Sequence, residues 1–294
     1  GKSYANKLLK KIFPLSQEFF YKFNRKPSLV VILIGENPAS KIYVKNKIRT
    51  AEANNIKSIE IILPAETSEQ ELLQKIILLN EKAEIDGILV QLPLPNHISE
   101  QKVINTINPD KDVDGFHPIN FGKLYMGVPN FIPCTPLGCL YLIKNELEEI
   151  SGKNAVIIGR SNIVGKPMAS LLLSSNCTVT LTHSKTKHLK EHCKNADILI
   201  AAVGCPEMID DTYVNKNAIV IDVGINRVEH PQEKKNSKLV GDVNYKKVYS
   251  LVKKITPVPG GVGPMTIACL MHNTIKAAYK NKNHNFIDIF EESI

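Results

Sequence analysis

Residues Ser28–Ile34 read Ser-Leu-Val-Val-Ile-Leu-Ile, seven positions with no polar alternation after the first. Such a run suits a strand buried on both faces, the kind found in parallel sheets covered by helices. The neighbouring segments agree with that reading. A helical pattern runs over about residues 39–54, and 59–63 reads as the next strand. Ser68 with Glu71 then forms a capping-box signature that opens a second helix. Residues 87–91 read as a third strand, stopped by Leu92-Pro93-Leu94-Pro95. A Pro- and Gly-punctuated stretch over about 108–138 interrupts the alternation. A second series begins at Ala155, with strands expected at 155–158, 178–181, 198–202 and 218–221. The last helix is expected from near Met265, after a long Pro/Gly segment that returns the chain to the first domain. The order predicts parallel strands joined by crossover helices. The expectation is a two-domain α/β protein: 1–133 with 265–294 packing back onto it, and 134–264.

The bulk properties fit that scheme. At 294 residues, with 43% hydrophobic and 22% charged residues, the chain can bury two ordinary cores. The formal net charge is +8, but the lysines are dispersed apart from short runs at Lys185, Lys187, Lys190 and at Lys234, Lys235. Trp is absent and no aromatics interleave with arginines, so a nucleic-acid partner is not expected. No apolar stretch reaches 18 residues, which argues against a spanning helix. Gly1-Lys2-Ser3-Tyr4 carries no signal-peptide pattern and reads as a start that lacks a few residues. Six cysteines stand at 134, 139, 177, 193, 205 and 269, without C-x-x-C or zinc spacing. Buried free thiols in a reducing compartment are expected, with no disulfide and no metal.

Val156-Ile157-Ile158-Gly159 leads into Arg160-Ser161-Asn162-Ile163-Val164-Gly165, then a helix. Strand, glycine turn and helix are the context in which backbone N–H groups can face a pyrophosphate. The dinucleotide fingerprint is imperfect, G-x-S-x-x-x-G, and glycines at such turns also serve purely steric ends. The next strand runs into Thr182-His183-Ser184-Lys185, with no carboxylate to bind a ribose 2′-hydroxyl. Hydroxyls and cations there, with Arg160 beside the first glycine, suit a 2′-phosphate, so NADP is expected over NAD.

Tyr43 and Lys47 stand four apart on a helix and share one face. They read either as an ordinary exposed pair or as a phenol and an ammonium aimed at one ligand. Gln91 ends a buried strand, where open α/β sheets place their ligand crevice; it either orients the lysine or satisfies the Leu-Pro turn. Asp110-Lys111-Asp112-Val113-Asp114-Gly115 opens like an EF-hand, but Phe121 stands where that loop needs Glu. Its acids are turn-formers or, for at least one, a ligand carboxylate, and His117 is read as structural. The segment Thr256-Pro257-Val258-Pro259-Gly260-Gly261-Val262-Gly263-Pro264 lacks a P-loop lysine. It serves either close approach of a ligand to the backbone or a rigid interdomain crossing.

Taken in order, these stretches, with Gly35-Glu36-Asn37-Pro38-Ala39-Ser40, Pro133-Cys134-Thr135-Pro136, Asp222-Val223-Gly224-Ile225-Asn226 and Gly241-Asp242-Val243, cover nearly the whole chain. The chain resembles the bifunctional methylenetetrahydrofolate dehydrogenase/methenyltetrahydrofolate cyclohydrolase family. The resemblance implies oxidation of 5,10-methylenetetrahydrofolate with NADP, followed by hydrolysis of the methenyl product to 10-formyltetrahydrofolate. It implies a catalytic domain followed by a Rossmann-type NADP domain, in a cytoplasmic homodimer. By the same likeness Lys47 is the central acid/base and Tyr43 packs on the folate rings. Gln91 supports the lysine, Asp114 holds the pterin, and Pro259, Gly260, Gly261, Gly263 and Pro264 border the folate cleft. Gly159, Arg160, Ser161, Ile163, Val164, Gly165, Ser184 and Ile225 are the implied cofactor contacts. The alternatives are a monofunctional NADP dehydrogenase of the same fold and a non-catalytic folate- or nucleotide-binding protein.

Overall fold

The buried run at 28–34 is the middle strand of a parallel sheet in the computed structural model, which describes residues 1–230 and 233–290. Side chains 229–237, among them the Lys234–Lys235 run, and the last four residues of the expected C-terminal segment lie outside the described residues. The chain divides into two compact units. The first holds Asn6–Cys134 and Ile267–Ile289; the second holds Gly1–Ala5, Thr135–Thr266 and the residues from Phe290 onward.

In the first unit the elements run α1 (Lys2–Phe23), β1 (Ser28–Ile34), α2 (Pro38–Ala53), β2 (Lys57–Leu63), α3 (Glu69–Glu81), β3 (Gly87–Val90), α4 (Glu100–Thr106) and α5 (Pro118–Tyr125). The sheet order is β2-β1-β3, all parallel, with Ile32 opposite both Ile61 and Val90. All seven β1 residues are buried, as the run demands. On one face Val30, Ile32 and Ile34 pack with Leu72 and Ile76 of α3, Ile88 of β3 and Val103 of α4. The capping box at Ser68 and Glu71 is formed in both directions. Helix α1 is not announced by the sequence pattern, because Pro14 lies inside it and proline normally ends a helix.

The second unit carries α6 (Cys134–Glu146), β4 (Asn154–Ile158), α7 (Gly165–Ser174), β5 (Thr178–Thr182), α8 (Leu189–Lys194), β6 (Ile198–Ala201), β7 (Ile219–Asp222), β8 (Asn226–His230), β9 (Glu233–Val240), α9 (Tyr245–Val248) and β10 (Lys254–Ile255). Five strands form a parallel sheet in the order β10-β7-β6-β4-β5. The unit's first strand, β4, therefore lies between its second and third, which makes the β4/β6 boundary a topological switch point. The antiparallel β8–β9 pair and the short β10 are additions to the strands expected from pattern. Their residues are mostly polar or too few to give a periodic signal.

The final helix, α10 (Val262–Asn281), begins three residues before Met265. Pro264 falls in its first turn, where a missing N–H costs nothing. From Ile267 onward the helix belongs to the first unit, where Asn273 Nδ2 donates to the carbonyls of Val113 (2.9 Å) and Ile132 (3.0 Å). Among the described residues no helix is long and apolar enough to cross a membrane. Five cysteines are buried, but Cys205 is exposed, against the expectation that all six are buried. It sits in the loop after β6, where the chain has left the sheet.

Candidate active site

In the first unit Lys47 is placed by two local devices. Gly35 takes φ +78° and lets β1 turn sharply. Asn37 then caps α2, its Oδ1 accepting from the N–H groups of Ala39 (2.9 Å) and Ser40 (3.2 Å), with Pro38 at the first helical position. Lys47 lies on the helix face that also buries Ser40, Val44 and Ala51, and only 8% of its surface remains exposed. Tyr43, one turn earlier, is half-buried. The exposed-pair reading therefore fails for Lys47.

A buried ammonium needs partners, and Gln91 is one. Lys47 Nζ donates to Gln91 Oε1 at 3.1 Å. The N–H of Gln91 donates to Ile32 O at 2.8 Å, continuing the β1–β3 ladder by one residue. Gln91 Nε2 donates to Leu92 O at 2.7 Å. That second bond fixes the amide: reversing it would set an NH2 group against the ammonium and an oxygen against a carbonyl.

Asp114 is held by its neighbours. Lys111 O accepts from Ile88 N at 2.8 Å, fastening the segment to β3. Lys111 Nζ donates to the carbonyls of Asn80 and Lys82, both at 2.7 Å, and so closes the end of α3. The Asp112 carboxylate accepts from the backbone of Phe116 (3.2 Å) and His117 (2.8 Å) and from Asn120 Nδ2 (2.8 Å). Asp112 is thus a turn-former. His117 is structural as well, its Nδ1 accepting from Ile119 N at the start of α5. Gly115 has φ +76°, and a Cβ there would lie 2.7 Å from Pro133 N. Burial pushes the Asp114 carboxyl above the ordinary Asp range; the positive charge of Lys47 works against this and Asp112 adds to it. Asp114 also engages the thiol of Cys134, which burial holds well above its usual value. Lysine, carboxyl and amide thus share one polar neighbourhood.

In the second unit the glycine turn ends β4 at the switch point. Gly159 has φ +117°, and a Cβ there would come 2.1 Å from Ala202 O. A Cβ on Gly165 would come 2.0 Å from Gly159 O. Both glycines are required by close backbone approach. Ser161, where the usual fingerprint has glycine, accepts at Oγ from the N–H groups of Val164 (3.1 Å) and Gly165 (3.3 Å). The chain itself thus supplies an acceptor for these two donors at the helix start. Arg160, Ser161, Ile163, Ser184 and Ile225 are exposed around the ends of β4, β5 and β7. No carboxylate stands at the end of β5, where Thr182 is buried and donates to Ile157 O at 3.0 Å. An open rim of hydroxyls, a guanidinium and two aliphatic side chains fits a phosphorylated dinucleotide.

The Pro259–Pro264 stretch also belongs to the second unit. Gly260 has φ +101° with open space where a Cβ would stand, and its carbonyl accepts from Lys2 N at 2.9 Å. A Cβ on Gly261 would lie 2.4 Å from Pro257 O.

Two buried aspartates of this unit, Asp222 at the end of β7 and Asp242 after β9, are not singled out by the strand and helix periodicity. The Asp222 carboxylate accepts from the N–H groups of Gly224 (3.0 Å), Asp242 (2.9 Å) and Val243 (3.0 Å). Asp242 accepts from Val203 N (2.7 Å), Gly204 N (3.0 Å) and Asn226 Nδ2 (2.9 Å). Burial raises the Asp222 carboxyl to about 6 against the pull of its N–H donors. The sequence does carry a usable signal, since each aspartate stands close to a glycine, in Asp222-Val223-Gly224 and Gly241-Asp242.

Two family models cover most of the chain: the tetrahydrofolate dehydrogenase/cyclohydrolase catalytic domain over residues 1–114, and the NAD(P)-binding domain of the same family over 133–282. The chain belongs to the tetrahydrofolate dehydrogenase/cyclohydrolase family. Among its relatives, the bifunctional protein FolD of Erythrobacter litoralis is 51% identical, over 100% of this chain and 98% of that protein. The bifunctional protein FolD of Wolbachia sp. subsp. Drosophila simulans is 54% identical over 98% of each. The crystal structure of the bifunctional enzyme FolD from Campylobacter jejuni matches with a TM-score of 0.90 and 46% identity, over 95% of this chain and 97% of that one. The Trypanosoma brucei enzyme, solved with NADP cofactor and inhibitor, matches with a TM-score of 0.91 and 34% identity, over 95% and 96%. In this tetrahydrofolate dehydrogenase/cyclohydrolase chain, the catalytic-domain match ends at Asp114 and so includes Tyr43, Lys47 and Gln91. The NAD(P)-domain match takes in the Gly159 turn and the aspartate pair.

Proposed function

We propose that the chain oxidises 5,10-methylenetetrahydrofolate with NADP and hydrolyses the resulting 5,10-methenyltetrahydrofolate to 10-formyltetrahydrofolate. The observation that carries this reading is the buried Lys47 ammonium fixed to Gln91, on a chain about half identical to bifunctional relatives along its whole length. NADP, when bound, takes up the hydride. What the chain supplies is placement and proton handling.

Lys47 is assigned as the acid/base of the hydrolytic step. One of its N–H bonds is committed to Gln91, so the amide sets the direction of the remaining ones. Gln91 is the positioning residue, itself locked through Leu92 O. Tyr43 presents its ring one turn away, as a surface for the folate ring system. The Asp114 carboxyl, raised by burial, can keep a proton and donate to a pterin nitrogen or, when ionised, accept from one. Pro259, Gly260, Gly261, Gly263 and Pro264 are assigned to the folate side, the open Gly260 being suited to close approach of a ligand.

Gly159, Arg160, Ser161, Ile163, Val164, Gly165, Ser184 and Ile225 are assigned to NADP. Arg160 and Ser184 are the 2′-phosphate candidates, because exposed donors and no carboxylate stand at this rim. Arg160→Ala is expected to reduce the preference for NADP over NAD by ~10-fold or more, the worth of a charge-assisted hydrogen bond. An unchanged ratio of kcat/KM for the two cofactors would remove Arg160 from the assignment.

The function itself is tested by mixing protein, NADP and methylenetetrahydrofolate and following NADPH and methenyl absorbance. NADPH should appear with a methenyl signal that rises and then decays faster than without protein. NADPH with a methenyl signal decaying only at the solvent rate would leave a monofunctional dehydrogenase. No NADPH at all would leave a binding protein.

The assembly assigned is a cytoplasmic homodimer. Strand β2 lies at a sheet edge with Ile62 exposed, and its last residue, Leu63, lines a surface groove together with the exposed Leu78 of α3. An apolar edge of this kind favours pairing with another chain. Five buried free thiols suit a reducing compartment.

A further inference from the structure

Two sequence fragments with no role in the chemistry so far, Asp222-Val223-Gly224 and Gly241-Asp242-Val243, meet at the carboxyl end of the second unit's sheet. Each aspartate reaches into the other fragment. A Cβ on Gly241 would fall 1.7 Å from Asp222 Oδ2, and a Cβ on Gly224 would fall 2.2 Å from Asp242 Oδ1. Both glycines are thus needed for the carboxylates to pass. Asp222 Oδ1 accepts from Gly224 N and Asp242 N, and Oδ2 from Val243 N. Asp242 Oδ2 accepts from Val203 N and Gly204 N, and Oδ1 from Asn226 Nδ2. The backbone of the pair is tied too. Val223 N donates to Ala201 O at 2.9 Å, and Asp222 N donates to Thr256 Oγ1 at 2.8 Å. Both side chains are almost wholly buried.

The segment clamped between these bonds carries Ile225. Its flanking residues Gly224 and Asn226 are each bonded to an aspartate, while Ile225 itself remains 44% exposed. The clamp also takes in Val203 and Gly204, which follow β6 at the switch-point side of the sheet. A buried carboxylate surrounded by three donors is costly to build and costly to disturb. Its placement beside an exposed aliphatic residue fits a site that must hold a ligand-facing loop still.

We infer that Asp222 and Asp242 are positioning residues for the cofactor, locking the loops after β6 and β7 so that Ile225 is presented to NADP in one fixed place. The inference rests on the assignment of Ile225 to the cofactor site. The two aspartates act through the backbone, and Asp242 also through the Asn226 side chain, without touching the ligand themselves.

The bonding pattern makes their amide variants unequal. In Asp242→Asn, the amide oxygen can keep both Val203 and Gly204, and Asn226 can turn its own amide to offer an oxygen. In Asp222→Asn, both oxygens face N–H donors, so either orientation sets an NH2 group against a donor. The same change of charge and size should therefore have different results. NADP binding in the absence of folate, measured by calorimetry, is expected to weaken by ~10-fold in Asp222→Asn and in Asp242→Ala, and by less than ~3-fold in Asp242→Asn. The KM for NADP should follow the same order, with a smaller fall in kcat. Amide hydrogen exchange at Gly224 and Val243 should quicken in Asp222→Asn, and at Val203 and Gly204 in Asp242→Ala. Should one of the two disruptive variants fail to fold, the other still gives the contrast with Asp242→Asn. Equal affinities across the variants, or equal losses in Asp222→Asn and Asp242→Asn, would overturn the inference. Ile225→Ala separates the two levels. If it binds NADP as the native chain does, the cofactor assignment of Ile225 fails and the inference with it. If it weakens binding while the aspartate variants do not, only the inference fails.

Discussion

The Lys47→Met variant is expected to hydrolyse methenyltetrahydrofolate at least ~100-fold more slowly than the native chain, the lower end of what a positioned acid/base contributes. Dehydrogenase turnover should fall by a smaller factor, because hydride transfer depends on placement more than on a proton. Methionine nearly matches the lysine stem and suits a buried position, so the fold should survive. What changes is local. Gln91 Oε1 loses the donor at 3.1 Å, and Asp114 loses the positive charge that opposes the effect of its burial. The Asp114 carboxyl should therefore rise further. Retention of full cyclohydrolase turnover, followed as decay of methenyl absorbance, would take Lys47 out of the mechanism. Gln91→Ala is the companion measurement: a large loss there with Lys47 intact would mean that orientation of the ammonium is limiting.

The second large effect is on stability. Asp86 is expected to be the most damaging single truncation in the first unit. Its side chain is fully buried, and it binds Arg25 through two bonds, Nη1 to Oδ2 at 2.7 Å and Nη2 to Oδ1 at 2.8 Å. It also accepts from Ser28 N at 2.9 Å and from Asn281 Nδ2 at 2.8 Å. One carboxylate thus fastens the loop after α1, the start of β1 and the end of α10. Asp86→Ala takes the acceptor from Arg25 Nη2 and from Ser28 N, while Arg25 Nη1 keeps only Lys26 O at 3.3 Å and Asn281 Nδ2 keeps Ala83 O at 2.8 Å. Removal of one partner of a buried pair costs ~3–5 kcal/mol. Against a total of ~5–15 kcal/mol that is a large share. The midpoint of thermal unfolding is expected to drop by ~10 °C. A drop of ~2 °C or less, the worth of under ~1 kcal/mol, would mean that water or a shifted side chain replaces the carboxylate. Asp86→Asn should fall between, since its amide can still accept from one side of Arg25.

What the amino-acid order reveals is local, and what it hides depends on distant partners. The run at 28–34 announces β1 because every residue in it meets a covered face. Ser68 and Glu71 announce the start of α3 because a cap needs only neighbours three positions apart. Tyr43 and Lys47 are legible as a pair for the same reason. The depth of Lys47 is not, because its burial depends on Gln91, 44 positions along the chain. Asp86, Lys111, Asp222 and Asp242 share that difficulty. Each is a charged residue that composition assigns to the surface, and each is buried because its partners arrive from distant segments. Ser161 is a milder case. Seen in the sequence as a flaw in a glycine fingerprint, it proves to accept at Oγ from the N–H groups of Val164 and Gly165 where α7 begins. Strands β8 and β10 stay hidden because one is polar and the other has two residues.

Helix α10 has a consequence for the order in which the protein is made. The polypeptide supplies the unit containing Lys47 in two instalments, residues 6–134 first and 267–289 only after the second unit's residues 135–266. Ala268, Leu270, Met271, Ile275 and Ala278 of the late instalment are fully buried, and Asn281 completes the Asp86 cluster. A nascent chain emerging from the ribosome therefore presents a three-stranded sheet whose core lacks one helix until the residues from 267 onward have appeared. The dinucleotide unit, by contrast, has almost all of its residues available before that helix is synthesised. Chains halted before residue 267 should carry protease-sensitive early segments and a comparatively resistant later one, so that the part translated first matures last.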